Sequence, residues 1–433
     1  KERIAIQRQA ATESQILLTN DGILPLRNTE DLNITKIAII GNDAFPRDCI
    51  NGDKDMECKN KTNLVVNGHI PLGYGSGATK FDHLITPLEG ITKLAESKNI
   101  EVVSSGKLIY EEKNGVKVKA SEDIETAEEI AADVDVAIVF VKAISGEEYI
   151  TVENTIGDRL DLDLWHNADK LVESVVAVNP NTIVVINAPS VVNMPWMDKV
   201  RAIVFSGFPG AESGNAIADV LFGVVNPSGH LPYVWGKLED YPTQITHLED
   251  NSIVEGTGKT YRQIYRYNGI DSAGLKDDEE GHDPEQYDYT EGLYIGQRWF
   301  NKKGKKAIFP FGYGLSYSKF EYSGLKAKMT ENGLEVTFFI SNESKFDGAA
   351  VPMLFITFPE SIGDYPEYIF KGFEKVTVNA GGIYKATILA DAHALSYFDV
   401  KENDYVRVKK GIIKFYIGEN GDSSQALLEG EID

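Results

Sequence analysis

Residues 145–159 read Ser145-Gly146-Glu147-Glu148-Tyr149, then Glu153, then Gly157-Asp158-Arg159. The stretch places carboxylates, an arginine and a tyrosine directly after an apolar run. Carboxylates beside an arginine suit one of two ends: proton transfer to a substrate, or a solvated, salt-bridged loop. Spacing alone favours the salt-bridged loop.

Other stretches carry weaker chemistry. Gly73-Tyr74-Gly75-Ser76-Gly77 invites a phosphate-loop reading, but it lacks the Gly-Lys-Ser/Thr ending and fails the G-x-G-x-x-G spacing. A glycine-permitted tight loop near a ligand fits it better. Ser213 follows Gly210-Ala211-Glu212, and Ala211 and Asn215 stand where a nucleophile elbow requires glycine. A capping and turn role is the expectation there. The 7 histidines are scattered without paired spacing, so neither a metal nor a cofactor is expected.

Two cysteines, Cys49 and Cys58, lie in one polar loop, where they can close a small disulfide or stand as two free thiols. Three N-x-S/T sequons begin at Asn33, Asn60 and Asn342. With the expected disulfide they fit a secreted, extracellular glycoprotein. No targeting segment precedes Lys1, as in a chain that starts inside a precursor or after a processing point.

Composition narrows the function further. Asp and Glu total 66 against 43 Lys and Arg, a net charge of −23, which repels a phosphate backbone and argues against nucleic acid as a partner. No apolar run approaches the ~20 residues that cross a bilayer, so no membrane partner is expected.

The elements that must position the 145–159 loop alternate strand and helix. Residues 1–19 show helical spacing and stop at Asn20-Asp21-Gly22. Buried apolar runs at 36–41, 100–104, 135–141, 182–188 and 201–205 alternate with helical periods at 84–98, 121–133, 163–178 and 211–222. Continuous apolar strands between helices predict a parallel sheet in an α/β layered domain, with ligands beyond the carboxyl ends of the strands. Residues 237–290 are polar and acidic and read as an excursion or linker. From about 316, short alternating strands at 334–341, 351–358, 370–378, 384–390 and 411–418 predict an antiparallel sandwich.

SGEEYITVENTIGDRLDLDLWHNADKLVESV resembles the acid/base loop of family 3 glycoside hydrolases, the fungal-type β-glucosidases above all. ATESQILLTNDGILPL, GYGSGA, NPNTIVVINAPSVVNMPW, GFPGAESGNAIADVLFGVVNPSGHLPYVWGK and YTEGLYIGQRWFNKKGKKAIFPFGYGLSYSKFEYS match the family in order. KGFEKVTVNAGG and LSYFDV look like its fibronectin type III-like domain. The resemblance implies an α/β/α sandwich domain over 1–236, an acidic insertion and linker over 237–315 that returns to the sandwich, and an all-β fibronectin type III-like domain over 316–433.

The family's (β/α)8 barrel, which carries the aspartate nucleophile, has no counterpart motif in these residues. The resemblance therefore implies the C-terminal part of a retaining exo-β-glucosidase, whose barrel partner is held in cis or on a second chain. Its substrate is a β-glucoside or oligosaccharide. By the match Glu147 is the general acid/base, although Glu148 stands where the family typically has glycine. Tyr149 would face the leaving-group sugar or pack on the barrel. Gly75 and Ser76 would line the same cleft, while Asp158 and Arg159 would brace the loop by an ion pair. A β-xylosidase of the same family is the nearest alternative, and a non-catalytic carbohydrate-binding or scaffolding module is the rival of another class. The exposed barrel-facing surface is compatible with a homodimer.

Overall fold

The computed structural model describes residues 2–46, 48–50, 65–73, 81–113, 116–144, 151–152, 155–156, 159, 161–241, 244–246, 253–255 and 291–433. They divide into two units, one formed by residues up to 225 with 244–246 and 253–255, the other by 226–241 and 291–433.

In the first unit the strands are β1 (Ile16–Asn20), β2 (Lys36–Ile40), β3 (Asp48–Ile50), β4 (Val65–Asn67), β5 (Glu101–Ser105), β6 (Leu108–Lys113), β7 (Val116–Glu122), β8 (Val136–Lys142), β9 (Thr151–Val152), β10 (Thr155–Ile156), β11 (Thr182–Asn187) and β12 (Ala202–Phe205). The helices are α1 (Glu2–Glu13), α2 (Pro87–Glu96), α3 (Ile124–Ala132), α4 (Ala168–Val178) and α5 (Ser213–Leu221). One sheet dominates, in the order β1-β12-β11-β8-β2-β5. Strands β2, β5, β8, β11 and β12 pair in parallel. Every residue of β8 and β11 is buried, as strands covered on both faces require.

Helix α2 shows how sharply its start is written. Thr86 accepts from the Glu89 main-chain N–H, and the Glu89 carboxylate accepts from the Thr86 N–H at 2.8 Å, a complete capping box with Pro87 behind it.

The helical spacing expected over 1–19 holds only as far as Glu13. Ser14 and Gln15 fold their side chains back onto the Ala11 carbonyl at 2.8 and 2.9 Å and close the helix. Residues 16–20 then form an antiparallel edge strand along β12. The hairpin β6–β7 also lies outside the expected pattern.

The second unit is built around two larger antiparallel sheets. Strands Phe320–Thr330, Gly333–Asn342 and Ile383–Asp391 form one sheet. Ile369–Phe373, Met353–Thr357, Ile413–Gly418 and Leu428–Ile432 form the other. Alternate residues turn inward, so Val336, Phe338 and Ile340 from one sheet and Leu354, Ile356, Phe415 and Ile417 from the other share one core. Strands at 320–330 and 428–432 add to those expected from sequence. Among the described residues no helix is long and apolar enough to cross a membrane.

Asn342 corrects one sequon. It is buried, and its amide donates to Phe346 O at 2.7 Å and Val378 O at 2.9 Å. A side chain so enclosed offers no glycan acceptor in the folded chain. Asn33 is exposed, and Asn60 lies outside the described residues.

Candidate active-site scaffold

The carboxyl edge of the sheet gathers buried polar residues from the ends of β2, β8, β11 and β12. Gly41, with φ of 100°, ends β2 so close to β8 that a Cβ there would lie 2.1 Å from Phe140 O. That turn delivers Asn42 and Asp43. Strand β8 ends at Lys142 and β11 at Asn187, which lie opposite each other in register. Ser206 follows β12, whose last residue, Phe205, lies opposite Ile186. All five of these polar residues are buried.

Their hydrogen bonds form two connected groups. Asn187 Nδ2 donates to both Asp43 carboxylate oxygens, at 3.0 and 2.9 Å, and lies 2.8 Å from Ile70 O. His69 Nδ1 lies 2.9 Å from Asp43 O and 3.2 Å from Asp43 Oδ2, both acceptors, so this nitrogen bears the proton. His69 Nε2 then pairs with the Ser213 hydroxyl at 2.8 Å. The second group centres on Asn42. Its Oδ1 accepts from the Lys142 ammonium at 2.9 Å and from Gly68 N at 2.7 Å. Its Nδ2 donates to Asn67 Oδ1 at 2.6 Å and Gly106 O at 2.9 Å. Its main-chain N–H donates to the Glu122 carboxylate at 3.1 Å. Burial pushes the Glu122 carboxyl up to about 7, against the Asn42 N–H and the Lys142 charge, which both favour the anion.

Ser213, His69 and Asp43 have the connectivity of a hydrolytic triad, yet the serine and histidine expose none of their surface. No substrate reaches such a hydroxyl, and the array joins helix α5 to the loops after β2 and β4. Ser213 is the first helical residue rather than the cap: Glu212 takes the cap position and makes no side-chain cap bond. The Glu212 carboxylate instead accepts from Asn215 Nδ2 at 2.6 Å and pairs with His83 Nε2 at 2.8 Å.

The sequence-expected site residues divide sharply. Glu147, Tyr149, Gly75, Ser76 and Asp158 lie outside the described residues. So does Cys58, with the side chain of Cys49, and the expected disulfide falls there too. Arg159 is described, and its Nη2 donates to Ser190 Oγ at 3.0 Å and Val191 O at 2.9 Å, tying its segment to the loop after β11. Among the described residues no cluster of His, Cys, Asp and Glu is arranged to hold a metal. Sequence reading missed Lys142, Asn187 and the Asn42-Asp43 pair. Their signal was a polar residue closing an otherwise apolar run.

Comparison with known proteins agrees with this architecture. Residues 15–317 match the glycosyl hydrolase family 3 C-terminal domain, and residues 350–421 match the fibronectin type III-like domain. The chain belongs to glycoside hydrolase family 3. A probable beta-glucosidase L of Neosartorya fischeri is 33% identical over 437 positions, covering 95% of this chain and 51% of that protein. A probable beta-glucosidase A of Aspergillus niger is 35% identical over 74% of this chain and 32% of its own length. Among solved structures, Beta-glucosidase D2-BGL from Chaetomella raphigera superposes with a TM-score of 0.79 at 30% identity, over 100% of this chain and 55% of that one. Beta-D-glucoside glucohydrolase from Trichoderma reesei gives 0.78 at 29% identity, over 100% and 55%. The chain thus spans about half the length of the relatives it matches.

Proposed function

We propose that this chain supplies the general acid/base of a retaining exo-β-glucosidase, in a site completed by a barrel domain in cis or on a second chain. One observation carries the reading: Glu147 follows the carboxyl end of β8, the buried strand flanked by β2 and β11, in a chain of this family. That edge is where α/β sheets present ligand-binding loops. The names borne by the relatives point to β-glucosides as the substrate class.

In this reading a barrel carboxylate attacks the anomeric carbon while the Glu147 carboxyl gives its proton to the departing glycosidic oxygen. The carboxylate so formed then takes a proton from water, and that water's oxygen attacks the glycosyl–enzyme ester and releases glucose with retained configuration. Secretion belongs to the same reading, supported by the exposed Asn33 sequon and the two cysteines of one polar loop.

The test is Glu147→Ala in the barrel-complemented enzyme. Loss of the acid lowers kcat/KM on methyl β-glucoside by about 100-fold or more, and far less on a dinitrophenyl β-glucoside, which needs little protonation. Azide partly restores turnover of the activated substrate. Equal losses on both substrates, with no azide effect, overturn the assignment.

A further inference from the structure

Lys142 is the last residue of β8, and the Glu147 loop follows it after Ala143 and Ile144 alone. Lysine is rarely so deeply buried, and this one is 2% exposed. Its ammonium reaches Asn42 Oδ1 at 2.9 Å and Gly68 O at 2.8 Å. Those acceptors stand on two other segments, the turn leaving β2 and the turn leaving β4. Asn42 is itself held by Asn67, Gly106 and the Glu122 carboxylate. On the other side, Ala143 N–H bonds Asn187 O at 3.1 Å, and Asn187 grips Asp43. The chain leaving β8 is thus clamped from both neighbouring strands. A buried ammonium costs several kcal/mol unless its donors are met, and here acceptors on two separate segments meet them. What the charge adds is direction.

We propose that Lys142 is a positioning residue for the acid/base: its ammonium fixes the point and direction from which the Glu147 loop departs. The inference rests on the assignment of Glu147 made above. A displaced acid loses proton transfer to poor leaving groups while activated substrates still react. Shape loss without that link would slow both alike.

The experiment compares Lys142→Met, Asn42→Ala and Glu147→Ala in the barrel-complemented enzyme, with kcat/KM measured on methyl and dinitrophenyl β-glucosides. Lys142→Met is expected to lower the methyl glucoside value about 10-fold or more and the dinitrophenyl value less than about 3-fold. Asn42→Ala, which removes the side-chain acceptor, leaves Gly68 O and keeps the lysine, is expected to show the same asymmetry at smaller size, and it carries the test if Lys142→Met fails to fold. With the Glu147→Ala asymmetry present, equal losses or unchanged rates in the hub variant overturn the positioning role alone. Absence of asymmetry in Glu147→Ala itself overturns the functional reading, and the positioning role with it.

Discussion

Gly90 and Gly214 meet face to face where helices α2 and α5 cross: a Cβ on Gly90 would lie 2.2 Å from the Gly214 carbonyl carbon, and one on Gly214 would lie 1.9 Å from Thr86 O. The two backbones are in contact, and Gly214 N–H donates to Ile85 O at 2.9 Å. This crossing seats Ser213 against His69 and so fixes one wall of the polar edge.

Gly214→Ala is expected to lower unfolding stability by about 3 kcal/mol or more, because main-chain atoms of α2 must retreat to admit one methyl group. Chemical denaturation of the variant checks it. A loss under about 1 kcal/mol would mean that the helices separate freely.

Glu122 makes stability depend on pH. Its carboxyl sits near 7 in the folded chain against an ordinary 4.5, so between these values the folded state holds a proton that the unfolded state has released. Stability is therefore fully present below about pH 4.5 and declines as pH rises through 7, by up to on the order of 3 kcal/mol. Glu122→Gln keeps an acceptor for the Asn42 N–H and removes the titration. Melting curves of parent and variant are expected to diverge from pH 5 to 8, with the variant gaining. Curves that stay parallel would assign the pH dependence elsewhere.

Ser213 is expected to be inert as a nucleophile. Fluorophosphonate probes leave the native chain unlabelled at this residue, and Ser213→Ala costs about 1–2 kcal/mol through the unpaired His69 nitrogen. Labelling of Ser213 in native protein, read by peptide mass analysis, would contradict its burial.

Arg8 on α1 grips Asp219 on α5 with two bonds, Nε at 2.7 Å and Nη2 at 2.6 Å. The arginine is partly solvated, which discounts the pair, while the aspartate is almost fully covered. Arg8→Ala is expected to cost about 2 kcal/mol, and Arg8→Lys to recover less than half of it, since a lysine cannot offer the planar fork. Full recovery by lysine in a denaturation series would reduce the bond to a simple charge attraction.

The sheet's inner strands were legible because parallel strands buried on both faces are written as unbroken apolar runs: IVVIN and VAIVFV admit little else. Strand β1 was not. Ile16-Leu17-Leu18 is short, and it directly follows a helix whose spacing runs on into it. The hairpin β6–β7 was missed although Asn114-Gly115 stands between its alternating runs, a strong hairpin signal. Glu147 is proposed from a matching motif, since carboxylate spacing alone pointed to a solvated loop. The Lys142 hub was beyond sequence reading, because Asn42, Gly68 and Lys142 meet only once strand register is set.

The edge pairing of β1 also sets a timetable. Ile16 pairs with Phe205, so β1 leaves the ribosome about 190 residues ahead of the strand it pairs with. At ~5–20 residues per second that delay is roughly 10–40 s. Throughout it Leu17 and Leu18, both fully covered in the finished fold, have no sheet to join. During that interval the nascent chain offers an apolar edge to chaperones, or to the same segment on a neighbouring ribosome. Shortening the wait, by moving residues 2–20 to follow β12 in a permuted chain, would raise the yield of native protein at high expression without changing a single contact of the finished sheet.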